Sequence, residues 1–210
     1  MSHIEELIKN GEGQQLDFKF EISDSRKIAK SIVAFANTDG GRLLIGVKDN
    51  GKIAGIRSEE EFYMAQAAAS AYSKPKVNFD VKRWDFGKKT VLEIIIPESN
   101  QKPHLAINEN NKWKGYKRVK DQNILANTIQ LEVWRKQKNR KPIKIKYSRK
   151  EEFLLQYLEQ NNFITFLKFC KLAQISKKQA EQILTDFILL DIIEIIFTDK
   201  KIYYQLKTSN

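Results

Sequence analysis

Cysteine is almost absent from this chain, and no apolar run is long. The single thiol, Cys170, lies in an apolar helical context with no second cysteine to bridge, which excludes a disulfide-stapled scaffold and a cysteine-rich zinc site and leaves a buried structural thiol. The most apolar stretch, Phe187 to Phe197, is interrupted by Asp191 and Glu194 and falls short of the ~20 residues that a membrane-spanning helix needs. Met1 to Asn10 reads as a short charged amphipathic helix without the apolar core of a signal peptide. A cytoplasmic protein with no membrane partner is therefore expected. A phosphate-wrapping loop ending in Gly-Lys-Ser/Thr ahead of a helix is also missing, so ATP hydrolysis is not expected. His104, after Lys102-Pro103, reads as a structural hydrogen-bonding side chain in a loop rather than as an acid or base.

What the chain has in quantity is positive charge, unevenly placed. With 210 residues and a formal charge of +11, it exceeds one typical domain of about 100–150 residues. Residues 1–135 hold 22 basic and 18 acidic side chains, and residues 151–210 hold 7 and 8. Between them Lys136, Lys138, Arg140, Lys141, Lys144, Lys146, Arg149 and Lys150 crowd into fifteen residues with no acid. Such a block repels itself and reads as an exposed connector, a repulsion that a polyanion relieves.

The stretch from Gly11 to Ile56 carries the chemistry. Leu16, Phe18 and Phe20 alternate with Gln15, Asp17 and Lys19, the period of a half-buried strand, so Asp17 and Lys19 point the same way. Ser23 to Ser25 can cap a helix in which Ile28, Ile32, Phe35 and Ala36 form the core face, with Arg26, Lys27 and Lys30 facing away. Asn37-Thr38-Asp39-Gly40-Gly41 ends it. Arg42 to Asp49 reads as an apolar strand, and Asn50-Gly51 predicts a tight turn into an antiparallel return over Lys52 to Ile56. Gly40 and Gly41 could offer backbone N–H groups to a phosphate oxygen as a small nest, or serve only as a helix cap.

These residues resemble a known family. Glu12 followed by Asp17-Phe18-Lys19, then Ala34-Phe35-Ala36-Asn37-Thr38-Asp39-Gly40-Gly41 and Gly46-Val47-Lys48-Asp49-Asn50-Gly51, is similar to the Schlafen-type AlbA-like domain, a nucleic-acid-binding module. Lys102-Pro103-His104 and Tyr116-Lys117-Arg118-Val119 look like its later motifs, so the resemblance spans roughly residues 1–135. It implies an α+β fold with a mixed sheet. In the RNA-cleaving branch of the family, two carboxylates five residues apart and an Asp after the glycine-containing strand form the site. By motif these fall on Glu12, Asp17 and Asp49, which would hold Mg²⁺ or Mn²⁺, with Lys19 steadying the phosphorane charge. Asp17 stands where that branch has Glu, which would displace a ligand oxygen by about 1.5 Å, one carbon–carbon bond.

Beyond the connector the pattern is mainly helical. Glu151 to Gln160, Phe166 to Ala173 and Ser176 to Leu189 read as helices, the last opened by a Ser176/Gln179 capping box. Ile192 to Phe197 and Ile202 to Leu206 then read as a hairpin. Three helices and a two-stranded wing resemble a winged helix-turn-helix, with the third helix in a major groove. Glu181 and Asp186 on that helix leave open a protein-contact or dimerising role, hence a homo-oligomer.

The expectation is therefore an α+β Schlafen AlbA-like domain over residues 1–135, a basic linker over 136–148, and a small winged-helix domain over 149–210. The function expected is nucleic-acid binding, as a DNA-binding transcriptional regulator and without a cofactor, with the choice between DNA and RNA left open. The alternative is a metal-dependent endoribonuclease acting on structured RNA. Besides the carboxylates, the candidate binding residues are Arg42, Lys117, Arg118, Lys138, Arg140, Lys141, Lys144, Lys146, Lys177, Lys178, Lys200 and Lys201.

Overall fold

Strand β1 (Leu16–Lys19), which follows helix α1 (His3–Asn10), runs parallel to β2 (Gly41–Ile45). The connection between them is helix α2 (Ser25–Ala36). Asp24 caps α2 by accepting from the Arg26 N–H at 2.8 Å. This computed structural model describes residues 2–139, 147–198 and 201–208. The chain divides into two units, Met1–Ala126 and Asn127–Asn210.

In the first unit, helix α3 (Glu60–Ser70), β3 (Ser73–Lys74), β4 (Asp80–Phe86), β5 (Lys89–Ile96), β6 (Leu105–Ile107), β7 (Trp113–Val119) and β8 (Gln122–Leu125) follow in turn. One four-stranded sheet has the order β1-β2-β5-β4 and is mixed, because only β1 and β2 are parallel. A second has the order β3-β6-β7-β8 and is antiparallel. Helix α2 packs against strands of both sheets. That explains why eight of its twelve residues are buried, Ser31 among them, where a surface helix would bury only a stripe.

The first sheet is covered on both faces. Leu43 and Ile45 pack with α2 and α3, while Leu16, Phe18, Leu44 and Val91 pack with Ile4 of α1. Strand β1 therefore does not have the solvated face that its alternation predicted. Leu16, Asp17 and Phe18 are all buried, because the side that carries Asp17 lies against α2. The Asn50-Gly51 turn forms, with the Gly51 N–H donating to the Lys48 carbonyl at 2.8 Å. Its return forms no full strand but is held by the Val47–Ile53 bridge and by the Ala54 N–H donating to the Gly46 carbonyl at 2.8 Å.

In the second unit, α4 (Thr128–Asn139) and α5 (Arg149–Asn161) are followed by β9 (Phe163–Ile164), α6 (Phe166–Leu172), α7 (Lys177–Leu189), β10 (Ile193–Phe197) and β11 (Ile202–Leu206). The three strands order as β10-β11-β9. Leu154, Leu158, Phe169, Leu184, Phe187 and Tyr204 make the core. The Ser176/Gln179 capping box forms as expected.

Helix α4 corrects the expected boundaries. Its Ile129 and Val133 belong to this second core, and it packs on α7, where Lys136 pairs with Asp186 at 2.9 Å. The division thus falls after Ala126 rather than after residue 135, and residues 136–139 are helical rather than linker. Arg140, Lys141, Lys144, Lys146 and Lys200 lie outside the described residues.

Candidate functional site

The carboxylates sit where β1 meets α2. Asp17 projects from β1 toward Ser31 of α2 and is 4% exposed. Its Oδ2 accepts from Lys19 Nζ at 2.8 Å and from Ser31 Oγ at 3.4 Å, and its Oδ1 faces Arg118 Nη2 at 3.3 Å. Glu12, just before the strand, accepts from the Phe18 N–H at 2.7 Å through Oε1 and shares a hydrogen bond with Asp17. Desolvation, then that bond and the like charge of Asp17, hold the Glu12 carboxyl above its ordinary value. Burial alone would raise Asp17 as well, but the charge of Lys19, the Glu12 hydrogen bond and the charge of Arg118 outweigh it and hold Asp17 low. The two carboxyls are thus held apart in proton affinity, Glu12 above and Asp17 below the ordinary value.

Asp49 does not join them. It is exposed in the turn after Val47, and no group of three or more His, Cys, Asp or Glu side chains able to hold a metal ion occurs among the described residues. The donor set does not suit Mg²⁺ or Mn²⁺, which want several ionised oxygens. Here Asp17 is already matched by two cations, Lys19 and Arg118, and Asp49 stands apart in its exposed turn.

Arg118, a candidate contact for nucleic acid, is instead an internal cation. Only 1% exposed, it donates through Nε to the Gly13 carbonyl at 3.0 Å, through Nη1 to Asn123 Oδ1 at 3.0 Å, and through Nη2 to the Leu16 carbonyl at 3.0 Å. Its guanidinium lies 4.9 Å from the Phe35 ring centroid. A planar fork of five donors suits such a crowded site as lysine would not. The guanidinium ties β7 to β1 and neutralises Asp17.

The glycine pair is likewise structural. The Gly40 N–H donates to the Phe35 carbonyl at 3.0 Å, so it is spent as a helix cap rather than offered to an anion. A Cβ on Gly40, at φ +69, would stand 2.8 Å from the Ile96 oxygen, and one on Gly41 would stand 2.3 Å from the Phe35 ring. Asn37 is helical rather than left-handed at φ −80. Its side chain donates to the His104 and Tyr116 carbonyls at 2.8 and 3.0 Å and accepts from the His104 N–H at 2.8 Å. His104 is buried, with Nδ1 2.8 Å from the Pro75 oxygen and Nε2 2.7 Å from Ser99 Oγ, a structural role as expected.

Arg42 is half-exposed and donates through Nε to Glu93 at 2.8 Å. Glu93 is fully buried in β5 and also meets His3 Nε2 at 3.1 Å and Trp84 Nε1 at 3.0 Å. Burial alone would raise this carboxyl. The His3 and Trp84 hydrogen bonds, with the charges of His3 and Arg42, more than offset it and lower it. Lys117 is partly exposed on β7. In the second unit Lys177 and Lys178 are exposed in the first turn of α7, and Lys138 and Lys201 are exposed as well.

The sequence reading passed over one grouping. Arg26, Lys27 and Lys30 of α2 line a cleft with Tyr116 of β7. The cations were legible at helical spacing, but the aromatic partner comes from a strand some ninety positions later.

The Schlafen, AlbA_2 family model matches residues 12–127, more than half of the chain, and the chain belongs to that family. No curated protein matches it. Among solved structures, the DIP2311 protein from Corynebacterium diphtheriae is similar at 20% identity over 59% of this chain and 24% of that one, with a TM-score of 0.44. The N-terminal domain of a RecG-related protein from Nitrosomonas europaea is similar at 20% identity, over 70% of this chain and 99% of that domain, with a TM-score of 0.42. The chain thus spans about a quarter of the length of the DIP2311 protein. No helix among the described residues is long and apolar enough to cross a membrane.

Proposed function

We propose that this chain is a nucleic-acid-binding protein with a regulatory role, which holds its ligand without cutting it. The observation that carries the reading is the block of eight basic residues and no acid over 136–150, in a chain whose family domain belongs to the Schlafen, AlbA_2 group. Phosphate neutralisation with counterion release is the sequence-independent source of such affinity. The second unit supports it further. The order α5, α6, α7 and then the β10–β11 ribbon is that of a winged helix-turn-helix, which would set Lys177 and Lys178 at the entry of a major groove and Lys201 near the wing.

The endoribonuclease alternative asks Glu12, Asp17 and Asp49 to converge with their charges available. Closure of Asp17 by Lys19 and Arg118 favours binding over cleavage. The test is a salt titration of duplex DNA and structured RNA binding. If about six of the connector cations meet phosphates, log affinity falls against log salt with a slope of about −4 to −5. Replacing the Lys and Arg of residues 136–150 by Gln should flatten it, and an unchanged slope would remove the connector from the surface. In parallel, structured RNA is incubated with Mg²⁺ or Mn²⁺ and with chelator. Metal-dependent cleavage that disappears in both Glu12→Ala and Asp49→Ala would overturn the non-catalytic reading.

A further inference from the structure

From the cleft between α2 and the β6–β7 turn, we infer a second contact for nucleic acid within the first unit, specific for an unpaired nucleotide rather than for duplex. This rests on the nucleic-acid-binding reading above and extends it to the kind of strand bound.

The cleft has a volume of about 210 Å³. One wall is the outward face of α2, where Arg26, Lys27 and Lys30 stand at i, i+1 and i+4. None of the three makes an ion pair among the described residues. Lys30 Nζ lies 5.2 Å from the centroid of the Tyr116 ring, and Arg26 Cζ lies 5.7 Å from that of Tyr72. Arg26 and Lys30 thus each rest over an aromatic face rather than on a carboxylate.

That pairing of groups suits a base with its phosphates. A base can take the Tyr116 face in place of the Lys30 ammonium, and the displaced ammonium then meets a backbone phosphate, since aromatic platforms beside cationic tracks are how unpaired strands are held. The opposite wall is the β6–β7 turn. Asn108 Oδ1 is committed to the Asn110 and Lys112 N–H groups at 3.0 and 2.9 Å, leaving its amide NH₂ to donate to a base edge. Glu109 is the one acid on the rim, and it is exposed. In a duplex the bases are stacked inside and only phosphates could reach α2, so the ring would contribute nothing.

The experiment uses the full chain with fluorescent oligo-dT, oligo-U and a duplex of equal length. The variants are R26Q/K27Q/K30Q, Y116L, Y116F and the Gln-substituted connector, each checked for an unchanged melting curve. Leu fills the space of the ring without a π face, and Phe keeps it. Expected are a single-strand salt slope reduced by about 2 in the triple variant, at ~0.7 per cation, and single-strand affinity weaker by about tenfold or more in Y116L. Y116F should bind like the parent, and duplex affinity should not respond to Y116L. If the single-strand slope and affinity ignore all cleft variants and respond only to the connector, the cleft inference fails while nucleic-acid binding stands. If the parent binds none of the three probes, the binding reading itself fails. Equal loss of single strand and duplex in Y116L would overturn the preference for an unpaired base.

Discussion

Replacing Arg118 by Met separates a structural cation from a ligand contact. The guanidinium is 1% exposed and makes four hydrogen bonds, to two carbonyls, one amide and the Asp17 carboxylate. Methionine fills much of the volume but takes a donor from the Gly13 and Leu16 carbonyls, of which Leu16 keeps the Gly13 N–H at 2.9 Å, and leaves Asp17 with Lys19 as its one cation. Removing one partner of a buried ion pair costs about 3–5 kcal/mol, a large share of the 5–15 kcal/mol that is typical for a whole domain. At roughly 3–4 °C per kcal/mol for a unit of this size, the first unit's melting temperature should fall by roughly 10–20 °C. Urea denaturation followed by circular dichroism should show a lower midpoint with an unchanged slope. Asp17→Asn in the Met background should recover part of the loss, because it removes a buried charge that Lys19 alone then balances, and the cycle should show coupling of about 1–3 kcal/mol. A loss below about 1 kcal/mol, or strict additivity with Asp17→Asn, would refute the buried-pair account. So would an Arg118→Met protein that melts like the parent yet no longer binds nucleic acid, since that is the behaviour of a contact residue.

The Glu93 carboxyl is held below its ordinary value, so its stabilising contribution is complete above the unfolded carboxyl value near pH 4.3 and is lost as pH falls through the lower folded value. Glu93→Gln should therefore show a shallower loss of stability below about pH 4.5, and identical acid slopes would contradict the linkage. Gly41→Ala should destabilise by about 1–3 kcal/mol because its Cβ meets the Phe35 ring at 2.3 Å. Gly40→Ala should also destabilise, through its positive φ and the Ile96 oxygen. Gly13→Ala, with nothing within 4 Å of its Cβ, should stay within about 0.5 kcal/mol in the same melts.

Local pattern and composition were enough to reveal α2, the Asn50-Gly51 turn, the Ser176/Gln179 capping box, the helices α5, α6 and α7 and the β10–β11 hairpin, because capping, periodicity and turn chemistry act over a few residues. The concentration of charge before Lys150 was equally legible. The role of β1 was not, since its alternation is the same whether Asp17 meets water or the far side of a helix, and only packing against α2 decides it. Arg118 looked like a surface cation because its carboxylate, its carbonyls and its aromatic neighbour lie about a hundred positions away in the chain. Helix α4 was joined to the first unit by continuity, although Ile129 and Val133 bury in the second. The grouping of Arg26, Lys27 and Lys30 with Tyr116 likewise required α2 to be laid across the β6–β7 strands. Contacts between residues distant in sequence are formed by the packed tertiary structure, and here they decided which charges remain exposed for a ligand and which are consumed in holding the fold.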